Sequence, residues 1–210
     1  MKTKDSKLLL KINGKTVLER SVNAFLNISD VDEVIVVARE RDIPAFSDIL
    51  ADERVSFVVG GDTRQQSVMN ALDVIDDCEL IIIHDGARPL IKSIDIENTI
   101  RAAKENKAAA VGVFVKDTVK VVDKNGFVVS TPDRSTLFAV QTPQIFNFEL
   151  YKKAAQNARE KGLDFTDDCQ LVESFNQKVK TVVGSYSNIK ITTPDDIVLA
   201  ENLLKNEALI

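Results

Sequence analysis

Short runs of β-favouring apolar residues recur along this chain, each followed by a stretch of helical period, and no other feature of the sequence limits its architecture as strongly. The runs are Glu33 to Val37, Val55 to Val59, Leu80 to Ile83 and Ala110 to Phe114. Before the first, Val17, Leu18, Val22, Phe25 and Leu26 fall on one helical face; between the second and third, Val68, Leu72 and Ile75 do the same. Strand and helix in alternation predict an α/β fold with a mostly parallel sheet. The runs scarcely alternate polar with apolar residues, so the strands are expected to be buried on both faces of a doubly wound sheet. Ligands gather at the carboxyl ends of the strands in such sheets, and chemistry is therefore sought where each run stops.

A chain of 210 residues, 44% hydrophobic, is long enough for one substantial core, so residues 1–210 are expected to form a single domain. Acidic residues outnumber basic ones by 32 to 27. The basic residues are scattered rather than gathered into a stripe, which argues against nucleic acid as a partner. The longest apolar runs fall far short of the roughly 20 residues that span a bilayer. With no signal sequence recognised, a cytoplasmic protein without membrane association is expected. Cys78 and Cys169 are too few and too far apart to read as a metal-ligand pair or a disulfide framework, and are expected as buried thiols.

Residues 116–144 break the α/β pattern. Thr118 to Val122, the turn Asp123-Lys124-Asn125-Gly126 and Phe127 to Ser130 read as a β-hairpin, with Asn-Gly supplying positive φ. A lone hairpin is marginal in water, so this arm is expected to pack on something else, most simply a second copy of the chain. Beyond it, helices are expected from about Asn147 to Lys161, after Thr166 and after Pro194, with strands near Lys178 to Val183 and Asn188 to Ile191.

Two neighbouring strand ends are unusual. After Val59 comes Gly60-Gly61-Asp62-Thr63-Arg64-Gln65-Gln66-Ser67, where paired glycines let a flat ligand approach the backbone and a helix start offers free N–H groups. Taken alone it also fits a plain strand-to-helix turn. After Ile83 comes His84-Asp85-Gly86-Ala87-Arg88-Pro89. A carboxylate there is suited to Mg²⁺, which takes oxygen ligands and bridges substrate phosphates. Gly86 and Ala87 leave room beside it, and Arg88 offers a planar fork for a phosphate or a structural ion pair. His84 is not expected to be a general base. Asp133-Arg134-Ser135 and Gln141-Thr142-Pro143-Gln144 cluster polar groups near the hairpin. Lys190 interrupts an apolar strand, and Lys7 precedes Leu8-Leu9-Leu10.

In this order, the motifs resemble the 2-C-methyl-D-erythritol 4-phosphate cytidylyltransferase family of the non-mevalonate isoprenoid route, from about Lys7 to Leu204. Those carrying the match are Gly-Gly-Asp-Xaa-Arg-Xaa-Xaa-Ser, His-Asp-Gly-Ala-Arg-Pro, Asp-Thr-Val-Lys, the Asp-Arg-Ser to Gln-Thr-Pro-Gln segment, Phe-Thr-Asp-Asp and Asn-Ile-Lys-Ile-Thr. The resemblance implies a Rossmann-like nucleotidyltransferase sheet with a dimerisation arm. It implies transfer of CMP from CTP to 2-C-methyl-D-erythritol 4-phosphate, with Mg²⁺ or another divalent cation as cofactor. By the same resemblance Gly61, Asp62 and Ser67 would recognise cytosine and ribose, with Asp85, beside Gly86, holding the metal across the phosphates. Lys7, Arg134 and Lys190 would be catalytic, the last two also gripping the small polyol phosphate. Arg88, Thr118, Thr142 and Thr166 would be further substrate contacts, and Thr118 and Arg134 would act in the partner's site of a homodimer.

One departure stands out against that family. Met1 to Ser6 aligns only with the tail of a glycine-rich, arginine-containing loop, and the strand before it is not in this sequence. Two strands are expected to lack a neighbour as a result, and CTP binding by the chain as it stands is expected to be poor. Ribitol 5-phosphate cytidylyltransferase, with the same chemistry, and a noncatalytic scaffold are the alternatives weighed; Ala87 and the Asp-Arg-Ser segment favour the methylerythritol enzyme.

Overall fold

The computed structural model describes residues 6–207, so Met1 to Asp5, read above as a loop tail, lie outside the described residues. The chain opens with a small hairpin of β1 (Lys11–Ile12) and β2 (Lys15–Thr16), turned through Asn13 and Gly14 at positive φ. Helix α1 (Val17–Leu26) starts at once, because the Thr16 hydroxyl accepts from Glu19 N while the Glu19 carboxylate accepts from Thr16 N. This reciprocal capping satisfies two amides that the helix start would otherwise leave unpaired. Val17, Leu18, Val22 and Phe25 form its buried face, as the spacing predicts.

The remaining elements follow in order. They are β3 (Val34–Ala38), α2 (Ile43–Ser47), β4 (Val55–Val59), α3 (Arg64–Leu72), β5 (Leu80–Ile83), α4 (Ser93–Asn106) and β6 (Ala108–Phe114). After them come β7 (Val121–Val122), β8 (Val128–Ser130), β9 (Phe138–Asn147), α5 (Phe148–Lys161), α6 (Asp168–Glu173), β10 (Lys180–Val183) and α7 (Asp195–Glu207).

Four strands are hydrogen-bonded in the order β10-β6-β9-β5, and β3 and β4 form a separate parallel pair. Strand β10 runs parallel to β6, whereas β9 runs antiparallel to both β5 and β6, so β9 alone reverses direction in its sheet. Among the described residues β3 pairs only with β4 and β5 only with β9. Val34 on β3 and Leu80 and Ile82 on β5 nevertheless pack on one apolar cluster with Phe25, Ile96 and Ile100 from α1 and α4. Side chains, rather than a ladder, connect the two sheets there.

The doubly covered sheet is real. Ala108, Ala110 and Phe146 face α3, α5 and α6, while Ala109, Val111 and Ile145 face α1 and α4. Successive strand residues point to opposite faces, so two packed faces require the unbroken apolar runs seen in the sequence. Burial of each large side chain, such as Phe146, contributes about 1.5–3 kcal/mol. A Phe146→Ala change is expected to cost about 3–5 kcal/mol.

Several expectations need correction. The second half of the segment read as an arm belongs to the body: β9 runs through its centre, with Thr142 and Gln144 buried. Polar residues and Pro143 disguise this strand, since proline cannot donate to a ladder. The sheet accommodates them by a bulge, because Ala110 pairs with Gln144 but Gly112 with Val140, and the Thr142–Pro143 peptide is cis. In the β7–β8 hairpin only Gly126 has positive φ, at 86°, and Gly126 N donates to Asp123 O. The expected four-residue turn Asp123 to Gly126 is thus closed by a left-handed glycine alone, with Asn125 not sharing the positive φ. Asn188 to Ile191 form no strand; they run as a strap fastened by Ile191 N to Ala87 O.

Candidate active site

The strap and the end of β5 bring the charged residues of the two unusual motifs together. Lys190 Nζ lies 2.8 Å from Asp85 Oδ2, Arg88 Nε 3.6 Å from the same oxygen, and Arg64 Nε 3.8 Å from Asp85 Oδ1. Burial pushes the Asp85 carboxyl up, but the hydrogen bond and charge of Lys190, joined by Arg64 and Arg88, more than offset it and hold the group below the usual range. Lys7 arrives from the amino-terminal side: its Nζ donates to Ile191 O at 2.9 Å, next to the residue that carries Lys190. Leu8 packs toward Gly86 from the same segment. Asp85, Lys7 and Lys190, remote in sequence, therefore share one surface.

A second network fixes the backbone of this carboxylate. Asp85 N donates to Thr142 Oγ1 at 3.0 Å, and that hydroxyl is 3.1 Å from His84 Nδ1. His84 Nε2 is 3.1 Å from Arg88 O, which can only accept, so Nε2 carries the proton and Nδ1 accepts from Thr142. Burial pushes the His84 imidazole down to about 4, leaving it neutral at pH 7. His84 thus locks the turn, in agreement with its exclusion as a base. The Thr142 hydroxyl is spent on this network, with both its donor and acceptor capacity directed inward. Arg88 reaches past Asp85, donating from Nη1 to Asn188 O at 2.7 Å, and so ties the strap to the turn.

The glycine-rich turn after β4 is rigid for a different reason. Thr63 and Gln66 form a capping box at the start of α3, Gln66 Oε1 accepts from Asp62 N, and Ser67 Oγ accepts from Gly61 N at 3.1 Å. A Cβ on Gly61 would fall 2.5 Å from Gln66 Cβ, so only glycine permits this approach. Asp62 remains exposed at the turn's tip.

Other expected site residues lie elsewhere. Arg134, in a short turn of helix at the base of the arm, donates to Lys116 O at 2.7 Å, and both it and Thr118 are exposed. Thr166 bonds Gln170 Oε1 through its N–H and hydroxyl, and is exposed on the loop before α6.

Sequence reasoning overlooked the pair behind Asp85. Arg64 Nη2 lies 2.6 Å from Asp168 Oδ2, and Tyr151 donates its hydroxyl to Asp168 Oδ1, also at 2.6 Å. The Arg64 contact is one of charge, since Asp168 Oδ2 receives no well-aligned hydrogen bond. A signal was present: Arg64 stands inside the Gly60 to Ser67 motif and Asp168 directly follows Thr166-Asp167.

As for a metal, the described residues contain no cluster of three His, Cys, Asp or Glu side chains that would cage an ion. A single carboxylate, although paired here with Lys190, Arg88 and Arg64, fits a divalent cation of the kind that keeps its waters and shares its remaining coordination with a substrate's phosphates. The same cations suit the phosphates themselves.

Known proteins resemble this chain over nearly its whole length. A family model described as 2-C-methyl-D-erythritol 4-phosphate cytidylyltransferase matches residues 1–206. A curated relative of that description from Desulforamulus reducens is 44% identical over 211 residues, spanning 98% of this chain and 90% of the relative. Another, from Caldanaerobacter subterraneus, is 47% identical over 206 residues, spanning 95% and 91%. Among solved structures, 4-diphosphocytidyl-2C-methyl-D-erythritol synthase from Anaerococcus prevotii superposes with a TM-score of 0.87 at 37% identity, covering 93% of this chain and 88% of that one.

Proposed function

The chain belongs to the 2-C-methyl-D-erythritol 4-phosphate cytidylyltransferase family, and on that premise we propose that it transfers CMP from CTP to 2-C-methyl-D-erythritol 4-phosphate. The products are 4-diphosphocytidyl-2-C-methyl-D-erythritol and pyrophosphate. The observation that carries this reading is Asp85 at the end of β5 with Lys190, Arg88 and Arg64 within 3.8 Å and Lys7 beside them.

In the proposed reaction an oxygen of the acceptor's phosphate attacks the α-phosphorus of CTP in line. The new P–O bond forms as the bond to the β-phosphate oxygen breaks, and pyrophosphate leaves with that electron pair. A phosphate monoester is already largely ionised near neutral pH, so the attacking oxygen needs no base. A neutral, inward-bonded His84 is in keeping with that. The barrier is one of charge and alignment between two polyanions, and prepositioned cations lower it. In this assignment Lys7 and Lys190 neutralise charge at the reacting phosphates, while Arg88 holds the strap so that Lys190 stays over the site. The rigid turn of Gly61, Asp62 and Ser67 receives the nucleoside, and Gly86 leaves space for it. Mg²⁺, held by Asp85, would supply further neutralisation across the triphosphate when bound.

Acceptor recognition falls to Arg88, Thr166 and Lys190, with Thr118 and Arg134 contributed from the arm of a second copy. Thr142 serves this assignment by holding the Asp85 backbone. Support for a homodimer comes from the hairpin: Val121, Val122, Phe127, Val128 and Val129 are all exposed on it. A cytoplasmic location accords with the chemistry, and no described helix is long and apolar enough to cross a membrane.

Pyrophosphate release from CTP and Mg²⁺, with methylerythritol phosphate or ribitol 5-phosphate as acceptor, tests the reading. The expected result is release that requires the methylerythritol compound. Preference for ribitol phosphate would reassign the acceptor, and no release with either, even with the glycine-rich loop restored ahead of Lys7, would leave a scaffold.

A further inference from the structure

Asp85 is held by groups of three different origins. Its backbone is fixed by Thr142, and Lys190 and Arg88 approach one carboxylate oxygen from the strap side. Among the described residues, only Arg64 forms an ion pair with the other oxygen, Oδ1. An arginine in the first turn of a helix has many rotamers, and its side chain is about a third exposed (37%), so something must select this one.

The selection comes from the opposite side of the guanidinium. Asp168, whose side chain is only 3% exposed, sits 2.6 Å from Arg64 Nη2. Asp168 is itself immobilised: Tyr151, buried in α5, donates to its Oδ1, and its backbone N–H donates to Gln144 Oε1 at 3.1 Å. Gln144 lies on β9, opposite Ile83, and two residues from Thr142. Asp85 is thus gripped along two routes from the same strand, through Thr142 to its backbone and through Gln144, Asp168 and Arg64 to its carboxylate. A surface ion pair would contribute little, but this one has a buried anchor at one end.

We propose that Asp168, backed by Tyr151, is a positioning residue that acts through Arg64 to aim Asp85, and that this aim governs how well the site takes a metal-bound nucleoside triphosphate. Resting as it does on the proposed function, the inference assigns Asp168 no contact with substrate. The chain of contacts from the core to Asp85 confers what isolated surface charges lack, a fixed direction. A positively charged side chain at position 64 does not suffice, because a lysine cannot reach both carboxylates with a planar fork.

Two measurements on the purified protein decide it. In a crystal structure of Asp168→Asn, Arg64 is expected to leave Asp85, with Nε well beyond 4 Å; retention of the contact would overturn the relay. Calorimetric titration of CTP, with Mg²⁺ and with EDTA, supplies the functional readout. For Asp168→Asn, Arg64→Lys and Tyr151→Phe the part of the affinity gained from Mg²⁺ is expected to fall about 10-fold or more for the first two and less for the third. CTP affinity in EDTA is expected to stay at the wild-type value for Asp168→Asn and Tyr151→Phe. Equal losses with and without Mg²⁺ would mean that Arg64 touches nucleotide directly, and unchanged Mg²⁺ dependence in folded Asp168→Asn would also refute the proposal. Tyr151→Phe, which deletes one hydroxyl, keeps the test readable if Asp168→Asn melts early. Failure to bind CTP with Mg²⁺ even with the family's glycine-rich loop restored ahead of Lys7 would instead count against the functional reading, leaving the crystallographic test of the relay intact.

Discussion

The end of β5 and the β7–β8 hairpin are built in opposite ways. Around Asp85 each charged group is held by another element: Thr142 from β9, Lys190 and Asn188 from the strap, Arg64 from α3. On the hairpin, Val121, Val122, Val128 and Ser130 are exposed on both strands, and the largest apolar side chain, Phe127, is 72% exposed. One region is finished within the chain, whereas the other shows a valine-rich surface that a folded monomer would ordinarily bury. The expected catalytic residues divide between them, with Lys7 and Lys190 in the first and Arg134 at the base of the second. An exposed apolar arm carrying substrate contacts makes sense if its surface is completed by a partner.

The base of the arm is firmer than its tip. Lys116 Nζ lies 3.6 Å over the Tyr186 ring, Tyr186 donates its hydroxyl to Phe114 O, and Phe114 meets Phe138 edge-on. The arm therefore leaves the body in a set direction, and its tip is the part left to be covered.

The largest effect should come from the finished region. Asp85→Asn keeps the shape but removes the charge on which three cations converge, and is expected to lower CMP transfer on the order of 10³-fold, several kcal/mol of barrier. Steady-state pyrophosphate release would show it; a loss under 10-fold would remove Asp85 from the metal site.

On the arm, Val128→Asp should act on assembly rather than on folding. It is expected to shift the protein toward monomer in sedimentation and to weaken acceptor use, while the melting temperature of the monomer stays within the range of an exposed substitution, about 0.5 kcal/mol. Unchanged assembly would dissociate the arm from the dimer.

Stability against pH separates the two regions further. His84 is neutral in the folded protein, with its imidazole lowered from the ordinary 6.5 to about 4. A depressed folded value means that the stability is whole above pH 6.5 and declines as pH falls toward 4, by about 3 kcal/mol in all. Denaturant melts over that range should show the decline in the wild type and a flatter profile in His84→Gln, and parallel profiles would contradict the buried neutral imidazole. Arm variants should leave the profile unaltered.

The smallest effect concerns the start of α7. Asp196 accepts from Thr192 N and Thr193 N and from the Thr192 hydroxyl, and these bonds pull its carboxyl down to about 2. This support is present above the ordinary carboxylate range, near 3.8, and is lost as pH falls toward 2. The melting temperature of Asp196→Ala is therefore expected a little below that of the wild type at pH 7, with the gap closing by pH 2.

Much of this was legible in the sequence, for physical reasons that also explain the gaps. Strands β3 to β6 were visible because each is a nearly unbroken apolar run, which burial on both faces demands of β6, and α1 because its capping residues and buried stripe coincide. Strand β9 was hidden: a bulge around Thr142-Pro143 lets polar residues into the sheet, and no local pattern advertises that. Asp85 and Lys190, singled out by their motifs, do meet, with Lys7 bonded to the strap beside them. The Arg64–Asp168–Tyr151 contacts were not legible, since they join residues from three elements through side-chain geometry alone. Lys190 was expected on a strand, but a strap crossing the strand ends places it over Asp85 just as well.

Mixing two crippled variants tests the division of labour most directly. If one chain supplies Asp85 and its partner's arm supplies Arg134, then Asp85→Asn and Arg134→Ala, each nearly inactive alone, should regain activity when unfolded, mixed and refolded together. Random pairing makes half the dimers mixed, each with one intact site, so recovery of about one quarter of wild-type pyrophosphate release is predicted. A mixture no more active than its components would contradict the account, placing Arg134 and Asp85 at one site of a single chain.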